Sequence, residues 1–244
     1  MIETFAALLV AHVAADYVFQ TRWMALNKTR PGPLAAHIAV VWAATWVCLG
    51  CSSVLAVTFL AFVHLLMDLA KARWLGGSGL AYGLDQSVHV LSALGIAVMV
   101  PGAWAAGHWA GLDEPARPAL VLGVVVMGAV YALRGGFYFA ALMPAPRDSA
   151  TPRAVPLVSC RAILEGLAVF AGMLALPLLA GLVGLARLCS YLWLWHRQEV
   201  APGGRLARQA ALLGWVVVMG FGTHLMVAGL LGLEAADAGV YVPP

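Results

Sequence analysis

The chain has 244 residues, of which 63% are hydrophobic and only 10% charged, and its formal net charge is +3. That much apolar side chain exceeds what one soluble core of this size can bury, which excludes an ordinary soluble domain and points to the membrane class. The small positive charge forms no basic stripe interleaved with aromatics, so nucleic acid is not an expected partner.

Apolar runs of the length needed to cross a bilayer as a helix recur along the chain, so the expected fold class is all-α, a polytopic transmembrane helical bundle. In chain order the predicted segments cover about 2–20, 34–50, 52–72, 84–104, 119–143, 159–176, 177–196 and 207–231. The first contains Glu3 and His12 and lacks the basic start and small-residue cleavage site of a secretory signal, so it reads as a retained helix. The sixth and seventh read alternatively as one helix broken at Pro177, which gives seven crossings instead of eight.

Charge separates the two counts. With eight crossings Arg22, Lys28, Arg30, Lys71, Arg73, Arg147, Arg153, Arg197, Arg205 and Arg208 all face one side. The other side receives Asp113, Glu114, Arg117, Glu234 and Asp237. The positive-inside rule then puts both ends of the sequence outside the cytoplasm. Seven crossings would turn the Arg197 to Arg208 loop outward, so eight is preferred. Two parts of one membrane domain are expected, 1–105 and 106–244. Cys48 and Cys51 form a C-x-x-C at an outward turn and read as small packing residues, while Cys160 and Cys189 stand alone.

An ionisable side chain inside hydrocarbon costs about 3 kcal/mol on insertion scales, so its position carries information. His12 and His64, Asp16 and Asp68, and His37 and His89 are each separated by the same 52 positions. This is an internal repeat: a helix bearing H-x-x-x-D near its inner end, then a helix bearing His near its inner start. Two copies in the same direction make the first four helices a tandem parallel repeat. Residues four apart share a helix face, so His12 projects with Asp16, His64 with Asp68 and Asp85 with His89. At one depth near the cytoplasmic boundary these groups can converge.

Imidazole nitrogens with carboxylate oxygens are the donor set of zinc, iron or manganese centres. The expected ligands are His12, Asp16, His37, His64, Asp68 and His89, around one or two divalent metal ions. Asp85 is expected as a base or as an acceptor that orients a ligating histidine. Gln20 and Lys71 sit where substrate could be contacted or charge balanced. The plainer reading is a hydrogen-bonded helix interface, and haem ligation or a proton relay are further alternatives, although haem has no use for the i+4 aspartates.

The stretch His12 to Lys28, followed by His64-x-x-x-Asp68-x-x-Lys71 and Asp85-Gln86-x-x-His89, resembles a bacterial integral membrane family catalogued as domain of unknown function number 3307. The resemblance covers about residues 5–100 and is loose beyond them, where Arg161-Ala-Ile-Leu164-Glu165-Gly166 stands in place of a Gly-rich, Arg-bearing segment ending in Leu-Glu-Arg. It implies a multi-pass protein of the bacterial inner membrane and a site at the matched His, Asp, Gln and Lys positions, and it implies no reaction.

The leading functional expectation is a metal-dependent hydrolase acting at the cytoplasmic leaflet, with Asp85 and Lys71 in catalytic roles. Arg134, Arg161 and Arg187 interrupt later helices and, with Gln20, are the expected contacts to a phospholipid or isoprenoid phosphate. The plainer reading of these arginines is snorkelling or pairing, Arg161 with Glu165 for example. The rivals are a divalent-metal or proton transporter, which would need helices broken near the midplane, and a structural or assembly subunit of a membrane complex.

Overall fold

A computed structural model describes residues 1–112, 115–142, 160–196 and 205–232. The expected loop charges Asp113, Glu114, Arg147, Arg153, Arg197, Glu234 and Asp237 lie outside the described residues, as do the side chains of Arg161 and Arg205. Among the described residues the secondary structure is all helical.

Helix α1, Ile2–Val13, continues into a π-helical turn, Ala14–Phe19. A short helix, α2, spans Arg22–Leu26. Its start is fixed by Thr21, whose hydroxyl accepts from the Met24 amide at 3.3 Å. Helix α3, Pro31–Cys48, opens with proline in its first turn, where a missing amide hydrogen costs nothing. Helix α4, Val54–Ala70, runs on into a second π-helical turn, Lys71–Leu75. Helix α5 spans Gly79–Met99, and a 3-10 turn follows at His108–Leu112. Helix α6, Ala116–Val130, passes through a third π turn, Tyr131–Gly135, into α7, Gly136–Ala141. The last three helices are α8, Cys160–Ala175, α9, Pro177–His196, and α10, Arg205–Leu231.

Among the described residues five helical spans are long and apolar enough to cross a membrane: Ile2–Phe19, Pro31–Cys48, Val54–Leu75, Ala116–Ala141 and Arg208–Leu231. Helix α5 is also long enough but is diluted by Asp85, Gln86, Ser87, His89 and Ser92. These helices have the make-up of a multi-pass membrane protein, and α4 shows why. Its exposed stripe is Leu55, Phe59, Phe62 and Leu66, while Val57, Ala61, His64 and Asp68 are buried. Both stripes follow the helical period, and the large apolar side chains face outward while the polar ones face inward. In water this arrangement would be inside out; in a bilayer it is the expected one.

The chain forms two compact units. The first comprises Met1–Gly76, Leu84–Met127 and the stretch from Leu225; the second comprises Gly77–Gly83 and Gly128–His224. In the first unit α3 packs on both α1 and α4. Their far ends are tied to the segment after α5 at a tight turn. Gly50 adopts a left-handed φ of +65°, and its carbonyl accepts from the His108 amide at 2.9 Å. At the same crossing a Cβ on Gly107 would collide with the Leu49 carbonyl oxygen. Ser52 Oγ donates to the Ala103 carbonyl at 2.5 Å, and the Trp109 indole N–H donates to the Val47 carbonyl at 2.5 Å. Cys48 and Cys51, beside this turn, are half-buried free thiols. In the second unit α8 packs on α9, and Trp215 stacks among Tyr82, Tyr131 and Phe139 at ring separations of 5.2–5.5 Å.

Candidate metal centre

The polar cluster lies at the ends of α1, α3 and α4 remote from that turn. Asp16 falls within the first π turn and Lys71 opens the second. An extra residue in one helical turn rotates the side chains beyond it, and such bulges recur at functional sites. His37 is near the start of α3, His64 and Asp68 near the end of α4, and Asp85 and His89 on α5. His37, His64, Asp68, Asp85 and His89 are all buried, and Asp16 retains 12% side-chain exposure.

Four donor atoms converge. His37 Nε2 lies 3.1 Å from His64 Nε2, 3.3 Å from Asp16 Oδ1 and 3.4 Å from Asp68 Oδ2. His64 Nε2 lies 3.4 Å from Asp16 Oδ1 and 3.7 Å from Asp68 Oδ2. An ion bound tetrahedrally at about 2.0–2.2 Å holds its ligand atoms about 3.3–3.6 Å apart, which these five edges approach. Asp16 Oδ1 and Asp68 Oδ2 are buried and make no hydrogen bond. A buried carboxylate oxygen left without a donor is costly, and a cation in the space it faces removes that cost. The donor set and its unsatisfied oxygens therefore fit a divalent metal. Three-residue groups with that capacity are His37 with His64 and Asp68, and His12 with Asp16 and His64.

Around this core the remaining groups balance charge and fix orientation. Lys28 Nζ donates to Asp68 Oδ1 at 2.6 Å, and Lys71 Nζ donates to Asp85 Oδ2 at 2.6 Å. Both lysines are partly exposed, at 20% and 29%, and mark the open edge of the cluster. Gln20 lies against His37, its amide nitrogen 3.1 and 3.0 Å from the two ring nitrogens. The His89 ring stacks on His64 with centroids 3.9 Å apart, and His89 Nε2 is 3.4 Å from Asp85 Oδ1. His12 Nδ1 is 3.8 Å from Asp16 Oδ2.

The six residues expected as ligands thus lie together, but not equivalently. His37, His64, Asp16 and Asp68 supply the converging atoms, whereas His12 and His89 stand beside them. Asp85 accepts from Lys71 and from Gln86 Nε2, the latter at 3.0 Å. The arginines differ in kind, because Arg134 and Arg187 belong to the second unit. Arg187 Nε donates to Glu165 Oε1 at 2.6 Å and its guanidinium lies 4.8 Å from the Tyr191 ring centre. Tyr191 donates to the other Glu165 oxygen at 2.8 Å. Glu165 thus has Arg187 and Tyr191 as partners, and the expected pairing with Arg161 lies outside the described side chains. Arg134 lines a cavity of about 280 Å³ with Leu133, Phe137, Tyr138, Ile163 and Leu212.

Tyr17, whose hydroxyl donates to Gln86 Oε1 at 3.2 Å, and the ion-pairing role of Lys28 had no signal in the repeat. Lys28 lies in the loop before α3, and Tyr17 reads as an ordinary interfacial aromatic. Residues 4–107 match the family model described as a protein of unknown function (DUF3307). This region is similar to that family. The match takes in every residue of the cluster, so the DUF3307 region and the polar site coincide. No curated protein and no solved structure matches the chain.

Proposed function

We propose that the protein is a metal-dependent hydrolase embedded in the bacterial inner membrane, with its centre near the cytoplasmic face. The observation that carries this reading is the approach of Asp16 Oδ1 and of Asp68 Oδ2 to the paired His37 Nε2 and His64 Nε2 at 3.3–3.7 Å, with both carboxylate oxygens buried and making no hydrogen bond. A bound divalent ion would lower the pKa of coordinated water to about 7 and so supply a nucleophile at neutral pH.

His37, His64 and Asp68 are the more buried three and would hold the ion. Asp16, partly exposed, would ligate beside them or accept a proton. Three protein ligands with one yielding position is the pattern of catalytic rather than structural zinc. Charge supports a single ion: three carboxylates face two ammonium groups, Lys28 and Lys71, leaving one negative charge with the imidazoles neutral. One divalent ion would leave that site with a single positive charge, whereas two ions would leave a large buried excess.

The proposed topology is eight crossings, with the first four helices as a tandem parallel repeat. It is supported by the cationic loops and by two Arg-Trp pairs, Arg22-Trp23 and Arg73-Trp74, beside the cluster. Trp23 and Trp74 are 55% and 77% exposed, as interfacial anchors are. A substrate reaching the Lys28 and Lys71 edge from the bilayer would be an amphiphile with an anionic head, such as a phospholipid or isoprenoid phosphate. The test is phosphate release from such lipids in vesicles containing the protein, assayed with chelator and with restored zinc, manganese or iron. Release that needs metal and disappears in Asp68→Asn supports the reading; no release with any of the three metals counts against it.

A further inference from the structure

The cluster contains a second polar network whose chemistry fixes the state of one histidine. Gln86 is buried on α5, and its side chain bridges two sides of the site. One end faces Asp85 Oδ2 at 3.0 Å. An ionised carboxylate only accepts, so the amide nitrogen of Gln86 must be the atom on that side. The other end, Oε1, is then an acceptor, and it receives the Tyr17 hydroxyl at 3.2 Å. The same oxygen lies 3.4 Å from His12 Nε2. A carbonyl oxygen pairs only with a ring nitrogen that carries hydrogen.

From this chain of donors and acceptors, and resting on the metal reading above, we infer that Gln86 is a positioning residue that holds His12 as its Nε2–H tautomer, so that the Nδ1 lone pair is turned toward Asp16 and the metal centre. The direction of the network is set at its far end by Lys71, which donates to the same Asp85 oxygen at 2.6 Å. Lys71 fixes Asp85, Asp85 fixes the sense of the Gln86 amide, and Gln86 fixes the His12 tautomer. Tyr17 donates a second hydrogen to Gln86 Oε1, and reversal of the amide would set its carbonyl oxygen against the Asp85 carboxylate.

This gives distinct duties to the two copies of the H-x-x-x-D pattern. His64 offers Nε2 to the converging atoms, whereas His12 offers Nδ1 from the neighbouring position, 3.8 Å from Asp16 Oδ2. Metal-site histidines owe their tautomer to a partner on the opposite ring nitrogen, and Gln86 is that partner for His12.

The test uses the full-length protein in nanodiscs with ¹⁵N-labelled histidine, loaded with zinc and assigned by a His12→Gln control. The expected spectrum has His12 protonated at Nε2 and not at Nδ1. Gln86→Leu removes the acceptor and should give a mixture of tautomers, while Gln86→Glu keeps an acceptor toward His12 and should retain the Nε2–H form. Zinc content, measured on the same samples, should stay within about twofold of wild type in both variants. An Nδ1–H tautomer in the wild type, or an Nε2–H form that remains the sole tautomer in Gln86→Leu, overturns the inference. The metal reading fails separately, if the wild-type sample binds no zinc.

Discussion

Lys28 and Asp68 are forty positions apart in the chain and 2.6 Å apart in the structure. Asp68 is 2% exposed, so its carboxylate depends on that ammonium, its second oxygen making no hydrogen bond. Removing one partner of a buried ion pair leaves an uncompensated charge, typically at a cost of about 3–5 kcal/mol. Lys28→Met should therefore lower the thermal midpoint of the metal-free protein clearly, and Lys28→Arg should restore part of it. An unchanged midpoint in Lys28→Met would show that the pair contributes little. The sequence announced the carboxylate, through its place four residues after His64, but not its partner. A lysine in a loop has no periodicity, and only the path of the chain between α2 and α3 brings it back.

At the scale of elements, the helices were legible because hydrophobic length and the turn residues between runs mark them, and α4 reads directly as one apolar and one polar stripe. The π turns were not legible. Nothing in the composition of Ala14–Phe19 or Lys71–Leu75 signals an extra residue per turn, yet these turns carry Asp16 and Lys71. The 52-residue spacing brought His12, His37, His64, Asp16, Asp68 and His89 to one place, but it treats the copies as equal. The structure distinguishes them by which nitrogens converge. The opposite end of the unit depends on close backbone approach at Gly107, where an added Cβ would strike the Leu49 carbonyl. Gly107→Ala should destabilise the protein by about 1–3 kcal/mol, as overpacking of a tight site does. Thermal unfolding in detergent checks this, and a neutral result would mean that the α3–α4 turn can shift away from the 3-10 segment.

For the whole molecule, eight crossings require residue 200 and residue 240 to lie on opposite sides of the membrane, with residue 200 in the cytoplasm. Compartment-sensitive reporters fused at the two positions should read oppositely; the same reading at both would remove the eight-helix arrangement and the common depth of the polar groups. Phosphate contacts from Arg134, Arg161 and Arg187 were the least legible part. An arginine within an apolar helix looks alike whether it awaits a ligand or pairs with a neighbour, and for Arg187 the neighbours are Glu165 and Tyr191. The account as a whole turns on whether the converging nitrogens and oxygens hold an ion. The most direct measurement is elemental analysis of protein purified without chelator at neutral pH, where imidazoles are free to ligate, alongside a His64→Ala variant shown by circular dichroism to remain helical. The account predicts about one divalent transition metal per wild-type chain and a loss of at least tenfold in His64→Ala. Metal-free wild-type protein that takes up none on titration, or a His64→Ala variant that retains the full complement, would contradict it.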